Sequence, residues 1–343
     1  MTGAPLSVVA AAACALVASA TLACSPGRQD AGAATDTTAT PVQVDDALER
    51  AYGVHPGQRR NHTKGLCALG TFTGDLGAAV YSRSGLFAGD TIPVVARFSL
   101  AGGDPDEADA SPSPRGMALE FRLPSGARQH MTMINTPMFF ARTPQTFLDK
   151  MVALAPVPAT GKPDPAAMQR FAATHPDNAG QAKFLAEHNP PASFATAPYF
   201  GIHTFKFLND RGETTLVRWR FAPDAGEHAL TDAQMRDAPH DFLAQELIAR
   251  TKQAPARWTM WLAIGQPGDV ENDPTVLWPA DRKQVRAGAL TITSAMPQTG
   301  AACDGINYDP LVLTDGIVPS SDPVLLFRSP SYAVSFDQRR AGK

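Results

Sequence analysis

The stretch from Tyr199 to Phe221, YFGIHTFKFLNDRGETTLVRWRF, decides the fold. Two runs alternate apolar with polar residues at period 2, Tyr199 to Leu208 and Thr214 to Phe221, as half-buried strands do. Asn209-Asp210-Arg211-Gly212 between them is turn-forming, so the two strands form a hairpin and pair antiparallel. The same alternation recurs at Thr91 to Leu100, Gly116 to Leu123, Arg257 to Ile264 and Gly288 to Thr293, with weaker runs near Thr71 and Met131. Helical patterns fall among them at Asp45 to Tyr52, Thr146 to Leu154, Ala166 to Thr174, Asn178 to His188, Thr231 to Lys252 and Ser329 to Arg340. The expected class is α+β, with an eight-stranded antiparallel β-barrel decorated with helices.

Composition agrees and excludes some functions. The 343 residues include 30 Pro and 27 Gly, and only 18% are charged, a balance that favours strands and long ordered loops. A formal net charge of -3 offers no basic field for sequence-independent nucleic-acid binding. Residues 1–24 carry no charged side chain, run apolar from Val8 to Leu22, and give way to a polar stretch of small residues, which reads as an export signal. Thr21-Leu22-Ala23-Cys24 resembles a bacterial lipobox with Leu one place off, so both a lipid anchor at Cys24 and a soluble periplasmic protein stand open. Residues 25–41 have the composition of a flexible tether, which leaves 42–343 as the folded domain. Of the four cysteines, Cys67 and Cys303 remain in the mature chain, 236 positions apart. A disulfide and two buried thiols are equally compatible with that spacing, and no zinc-type Cys/His spacing occurs.

Among eight histidines, His62 stands out by its setting, Arg59-Arg60-Asn61-His62-Thr63-Lys64-Gly65, a basic run entering a glycine-punctuated strand. Local features alone describe a solvated basic loop. The order of further segments changes the reading. RRNHTKGLCALGTF from Arg59, VARFS from Val95, PRGMALEF from Pro114, NTPMFF from Asn135, YFGIHTFKF from Tyr199, DPTVLWP from Asp273 and RSPSY from Arg328 together resemble the haem-dependent catalase family, in the family's order. The match spans residues 59–340.

The resemblance implies a catalase-like haem fold with haem b as cofactor, and roles for particular residues. Tyr332 is the expected axial metal ligand, since a ferric haem bound for a ferryl state needs an anionic donor. Arg328, four residues earlier, lies on the same helical face and lowers the phenol's pKa. Pro330 between them suits a helix's first turn, which places Arg328 at the helix entrance. His62 is the expected proton shuttle, Asn135 the group that hydrogen-bonds peroxide, and Ser99 the partner that fixes the His62 ring. Arg59, Arg97 and Arg339 match positions that bind the haem propionates, where guanidinium geometry suits carboxylates. Phe147 matches the aromatic that stacks on the porphyrin.

Two departures shape the functional expectation. Asn61 stands where the family usually has an apolar residue, which makes the distal pocket more polar. The chain also ends eleven residues after Tyr332, so it resembles the abbreviated, exported catalase-related peroxidases, and NADPH binding is not expected. The expectation is a haem peroxidase that reduces hydrogen peroxide or organic hydroperoxides through a ferryl intermediate with small organic electron donors. A compact true catalase, a hydroperoxide-rearranging haem enzyme and a barrel that binds lipid or haem without turnover are the rivals. Homo-oligomerisation is left open.

Overall fold

In the computed structural model the Asn209–Gly212 turn closes as its residues require. Gly212 takes φ 77°, and the Asn209 side-chain oxygen accepts the backbone N–H groups of Arg211 at 3.0 Å and Glu213 at 2.9 Å. The structure describes Met1 and residues 38–343. The export signal with its lipobox Cys24, and the tether up to residue 37, lie outside the described residues.

The strands of the main sheet are β1 (Gly65–Gly74), β2 (Thr91–Leu100), β3 (Arg115–Arg122), β4 (Arg128–Ile134), β5 (Tyr199–Phe200), β6 (Phe205–Leu208), β7 (Thr214–Pro223), β8 (Ala256–Ile264), β9 (Gln284–Pro297) and β10 (Ile317–Pro319). Their hydrogen-bonded order is β8-β9-β1-β2-β3-β4-β5-β7, and β7 pairs with β8 from Val217↔Ile264 to Pro223↔Trp258. That last pairing closes the eight-stranded antiparallel barrel, and closure removes the exposed edges an open sheet would carry. The run Tyr199 to Leu208, read as one strand, is broken at residues 201–204. Both halves pair along the same edge of β7. Gly201 lies so close to the Trp219 indole that a Cβ there would fall 2.4 Å from its Nε1. The break also turns His203 away from the ladder and towards a helix terminus.

Strand parity sorts the barrel into an inner and an outer face. Leu66 and Ala68 of β1, Ala96 and Phe98 of β2, Met117 and Leu119 of β3, and Met131 and Met133 of β4 belong to the barrel core. Residues of the opposite parity form cross-strand rows outside it. One row is Gly65, Ser99, Gly116 and Ile134; the next is Cys67, Arg97, Ala118 and Thr132. These rows are short-chained except for Arg97 and Ile134, so they make a low shelf on which the candidate site rests.

The main helices are α1 (Pro41–Tyr52), α2 (Pro144–Leu154), α3 (Pro165–Thr174), α4 (Ala179–Glu187), α5 (Asp232–Asp237), α6 (Phe242–Gln253) and α7 (Pro323–Arg340). Three differ from the sequence expectation. Helix α1 starts at Pro41 instead of Asp45, because Thr40 and Gln43 form a capping box. The segment Thr231 to Lys252 is two helices, since Pro239 disfavours helical geometry at Ala238, which is extended at ψ 132°. Helix α7 begins six residues before Ser329, where the Asp322 carboxylate accepts the N–H groups of Val324 at 2.8 Å and Leu325 at 3.2 Å. Pro330 therefore lies inside the helix, and Arg328 is mid-helix, not at its entrance. Cys67 and Cys303 are joined as a disulfide, with Cα atoms 5.5 Å apart, which resolves the open alternative.

Candidate active site

The loop before β1 carries His62 in an unusual backbone state. Its φ is 54°, a left-handed conformation that costs a non-glycine residue roughly 1–3 kcal/mol and persists only when surrounding bonds impose it. Those bonds are present. Arg97 Nη2 donates to the His62 carbonyl at 2.7 Å, Thr63 Oγ1 donates to the Arg59 carbonyl at 2.6 Å, and the Asn61 side-chain oxygen accepts Gly102 N–H at 2.9 Å. His62 Nδ1 then lies 3.0 Å from Ser99 Oγ on the shelf. Gly116 makes this contact possible: a Cβ there would come within 2.8 Å of Ser99 Oγ and 2.9 Å of His62 Nδ1. Burial, reinforced by the charges of Arg97 and Arg328, pulls the imidazole pKa down to about 3. His62 is thus neutral at ordinary pH.

Across the cavity, α7 presents Arg328 and Tyr332 one turn apart. Arg328 Nη2 donates to the Tyr332 hydroxyl at 2.6 Å and to Thr132 Oγ1 at 2.8 Å. The second bond ties the helix to the barrel shelf. The cavity between holds about 1370 Å³ of empty space including its mouth, and is walled by α1, the His62 loop, the outer rows of β2–β4, α2 and α7. Arg59, Arg97, His62, Ser99, Phe147, Arg328, Tyr332 and Arg339 all line it. Phe147 stands in an aromatic group with Phe139 and Phe140, with ring centroids 6.3 Å and 5.4 Å away. Asn135 is the exception among the expected site residues: its oxygen accepts Arg115 N–H at 2.6 Å, and it is not part of the cavity wall. Asn61 lines the wall, with its oxygen committed to Gly102.

The electrostatics indicate what the cavity receives. Arg59, Arg97 and Arg339 make no ion pair among the described residues. Arg59 Nη2 donates to the carbonyls of Cys303 at 3.1 Å and Ile306 at 2.9 Å, and Arg97 donates to Gln298 Oε1. Burial, and then the neighbouring Arg339 charge, lower the Arg59 guanidinium to about 10. Arg339 Nη1 is buried without a partner. Three guanidiniums without a carboxylate, one of them with an orphaned buried donor, suit a ligand that brings its own acidic groups. Among the described residues no cluster of His, Cys, Asp and Glu is suited to hold a bare metal ion. The donor set thus fits a haem, whose acidic side chains Arg59, Arg97 and Arg339 would hold and to whose iron Tyr332 would offer its oxygen.

Sequence reasoning missed several contributors. His203 Nδ1 lies 2.6 Å from Asp322 Oδ2, so the residue that caps α7 also grips the break between β5 and β6. Burial lowers the His203 pKa against the pull of Asp322, and its Nε2 is buried without a partner. Gly116, Thr132 and Gln298 act through cross-strand register and tertiary contact. The one available signal was His203 itself, inside the strand motif, followed far downstream by Asp322-Pro323.

Comparison with known proteins places these features. The catalase family profile matches residues 29–343. A catalase-related peroxidase from Synechococcus elongatus is 53% identical over 306 residues, covering 89% of this chain and 90% of that protein. Another from Mycolicibacterium paratuberculosis is 35% identical over 301 residues, covering 88% and 95%. Among solved structures, catalase A from Saccharomyces cerevisiae superposes with TM-score 0.77 at 24% identity, and a bacterial catalase with TM-score 0.75 at 25% identity. The chain spans 62% and 58% of those two structures.

Proposed function

The chain belongs to the catalase family, and on that premise we propose that it is a haem peroxidase, reducing hydrogen peroxide or organic hydroperoxides at the expense of small organic electron donors. The observation that carries this reading is the convergence of two polar pairs, His62–Ser99 and Arg328–Tyr332, on one cavity flanked by three guanidiniums without acid partners. Haem b is the form we propose, since Arg59, Arg97 and Arg339 suit two free carboxylates and Phe147 offers an aromatic face. When bound, it supplies the two electrons that peroxide cleavage consumes and takes them back from the donor.

The chain's own groups do the acid–base work. With Nδ1–H donating to Ser99 Oγ, the His62 Nε2 lone pair is left to accept a proton from the entering peroxide. His62 then returns that proton to the departing oxygen, so water or an alcohol leaves in place of hydroxide or alkoxide. The depressed pKa of about 3 keeps His62 in its accepting form. The imidazolium formed in passing is short-lived, because Arg97 and Arg328 disfavour it and so promote return of the proton. On the opposite side, the Arg328 guanidinium donates to the Tyr332 oxygen at 2.6 Å and so fixes where that oxygen faces the cavity. Asn135 is outside the cavity wall with its oxygen committed to Arg115 N–H, so it is given no contact with peroxide.

Paired steady-state assays on one preparation test this reading. The expected result is oxidation of a phenolic or aryl-diamine donor that outpaces oxygen release from peroxide alone. Rapid oxygen release with negligible donor oxidation would make the protein a compact catalase. We also propose export, with Cys24 as the residue a lipid would modify. The Cys67–Cys303 disulfide supports an oxidising compartment. Labelling with a palmitate analogue in an expressing cell, with and without Cys24→Ser, decides the anchor.

A further inference from the structure

The segment between β9 and β10 has an unusual burden. Residues 298–308 contain no helix or strand, yet they hold Arg59 and Arg97, two of the three guanidiniums assigned above to acidic groups. Cys303 and Ile306 offer their carbonyls to Arg59 Nη2, and Gln298 Oε1 accepts from Arg97 Nε at 3.0 Å and Nη2 at 2.7 Å. A carbonyl acceptor fixes a guanidinium only as well as its own backbone is fixed, and turn segments are ordinarily the more mobile parts of a fold. This one is fastened to the barrel by a single covalent link, Cys303 to Cys67 of β1, with both residues fully buried. Cys67 is the direct cross-strand partner of Arg97, on the same outer row of the shelf. The bridge thus joins the strand that neighbours one guanidinium to the carbonyl that orients the other. Val95, Tyr308, Leu69, Ala118 and Met296 pack around it as a small cluster separate from the barrel core.

We propose that the Cys67–Cys303 disulfide is a positioning element for the prosthetic group: it holds the Cys303–Ile306 carbonyls against Arg59 so that Arg59 and Arg97 are pre-aligned for acidic side chains entering the cavity. This rests on the haem reading above. It assigns the disulfide a part in cofactor retention that its distance from the chemistry would not suggest. The arrangement is economical because a covalent bond does not open with the fluctuations that break a single carbonyl contact, and pre-alignment lowers the ordering cost of binding.

The test compares haem release from the wild-type holoprotein and from the Cys67→Ser/Cys303→Ser double variant, read as transfer to excess apomyoglobin. Because loss of the bridge could prevent folding, the same measurement is made on wild-type holoprotein treated with a water-soluble phosphine in mild denaturant, returned to buffer and shown by thiol titration to have lost the bridge. Breaking the link is expected to speed release roughly 10-fold, within the usual range for partners that orient a metal-site group. It is also expected to shift the propionate bending mode in the resonance Raman spectrum. In an Arg59→Ala background the same change should add less than it does in the wild type, since the part acting through the Cys303 and Ile306 carbonyls is already lost. Release that stays at the wild-type rate, or an effect that multiplies fully with Arg59→Ala, overturns the proposal in favour of a purely structural bridge. Hydrogen exchange across 298–308 in the apoprotein needs no haem: faster exchange without the bridge supports the positioning role, and unchanged exchange refutes it. A wild type that binds no haem would instead break the functional reading, and the exchange result would still stand.

Discussion

His62 reaches the cavity from a loop whose left-handed backbone is imposed by bonds from β2 and from Gly102, whereas Tyr332 reaches it from the interior of an 18-residue helix. The difference lies in where each side chain gets its position. Helical periodicity alone puts Arg328 and Tyr332 on one face, so the proximal pair is a local product with a single tertiary tie, Thr132. The distal pair is mainly tertiary: within the run from Arg59 to Gly65 only the Thr63–Arg59 bond supports the loop, and a histidine at φ 54° depends further on Arg97, Ser99 and the space left by Gly116. Local placement tolerates change around it. Tertiary placement fails when any one partner shifts.

Substitution of the two anchors themselves tests the contrast most severely. His62→Ala is expected to keep haem yet lower the rate of reaction with peroxide by roughly 10²- to 10⁴-fold, measured by stopped-flow absorbance. A wild-type rate would remove His62 from the chemistry. Tyr332→Phe is expected to change the ferric absorption spectrum and weaken haem binding beyond the roughly 10- to 100-fold typical of a residue that only orients a ligand. An unchanged spectrum would remove Tyr332 as the donor.

Gentler changes sharpen the asymmetry. Gly116→Ala brings a methyl to within 2.9 Å of His62 Nδ1, so the ring must move. Misplacement on that scale is expected to slow the peroxide reaction by about 10- to 100-fold with haem content unaltered. Thr132→Val removes one acceptor from Arg328, which keeps its bond to Tyr332. The expected loss there is about 1 kcal/mol of stability and only a few-fold in rate. Equal rate effects for the two variants would erase the distinction between the sides.

The smallest expected effect is a pH profile without an acid limb from His62. The folded protein holds its pKa at about 3 and the unfolded chain returns it to 6.5, so unfolding takes up a proton as the pH falls between those values. The stability associated with the neutral ring is complete above about pH 6.5 and declines below it, while the peroxide reaction stays flat from pH 8 to 5 so long as the fold holds. A rate that titrates with a midpoint near 6.5 would show that the imidazole is solvated.

The same division explains what the sequence disclosed. Alternation located β2 to the residue, Thr91–Leu100, because both faces of that strand keep a regular parity. It recovered only Gly288 to Thr293 of β9, a strand of 14 residues, because the register shifts against β1 and again against β8 break the period. Helix α7 was read late because Pro330 looked like a start signal, while the true start, Asp322-Pro323, lay upstream. In the site, the order of motifs made His62, Arg328 and Tyr332 legible. The pairing of Cys67 with Cys303, the grip of Asp322 on His203 and the need for Gly116 were not, since each depends on which strand lies beside which.

The two outer rows of the barrel have a consequence for how the site responds to heat and mutation. Ser99, which holds His62, and Thr132, which holds Arg328, belong to adjacent rungs of one ladder, two residues apart along each strand. At about 3.3 Å of rise per residue, the offset between those rungs is near 7 Å and is written in covalent backbone geometry. A gauge made of covalent rise along each strand and hydrogen-bonded spacing across β2, β3 and β4 swells less with temperature than packed side chains do and drifts little when a core residue is trimmed. Damage elsewhere in the barrel should therefore lower the temperature at which it opens while leaving the calibration of the gap intact until it does.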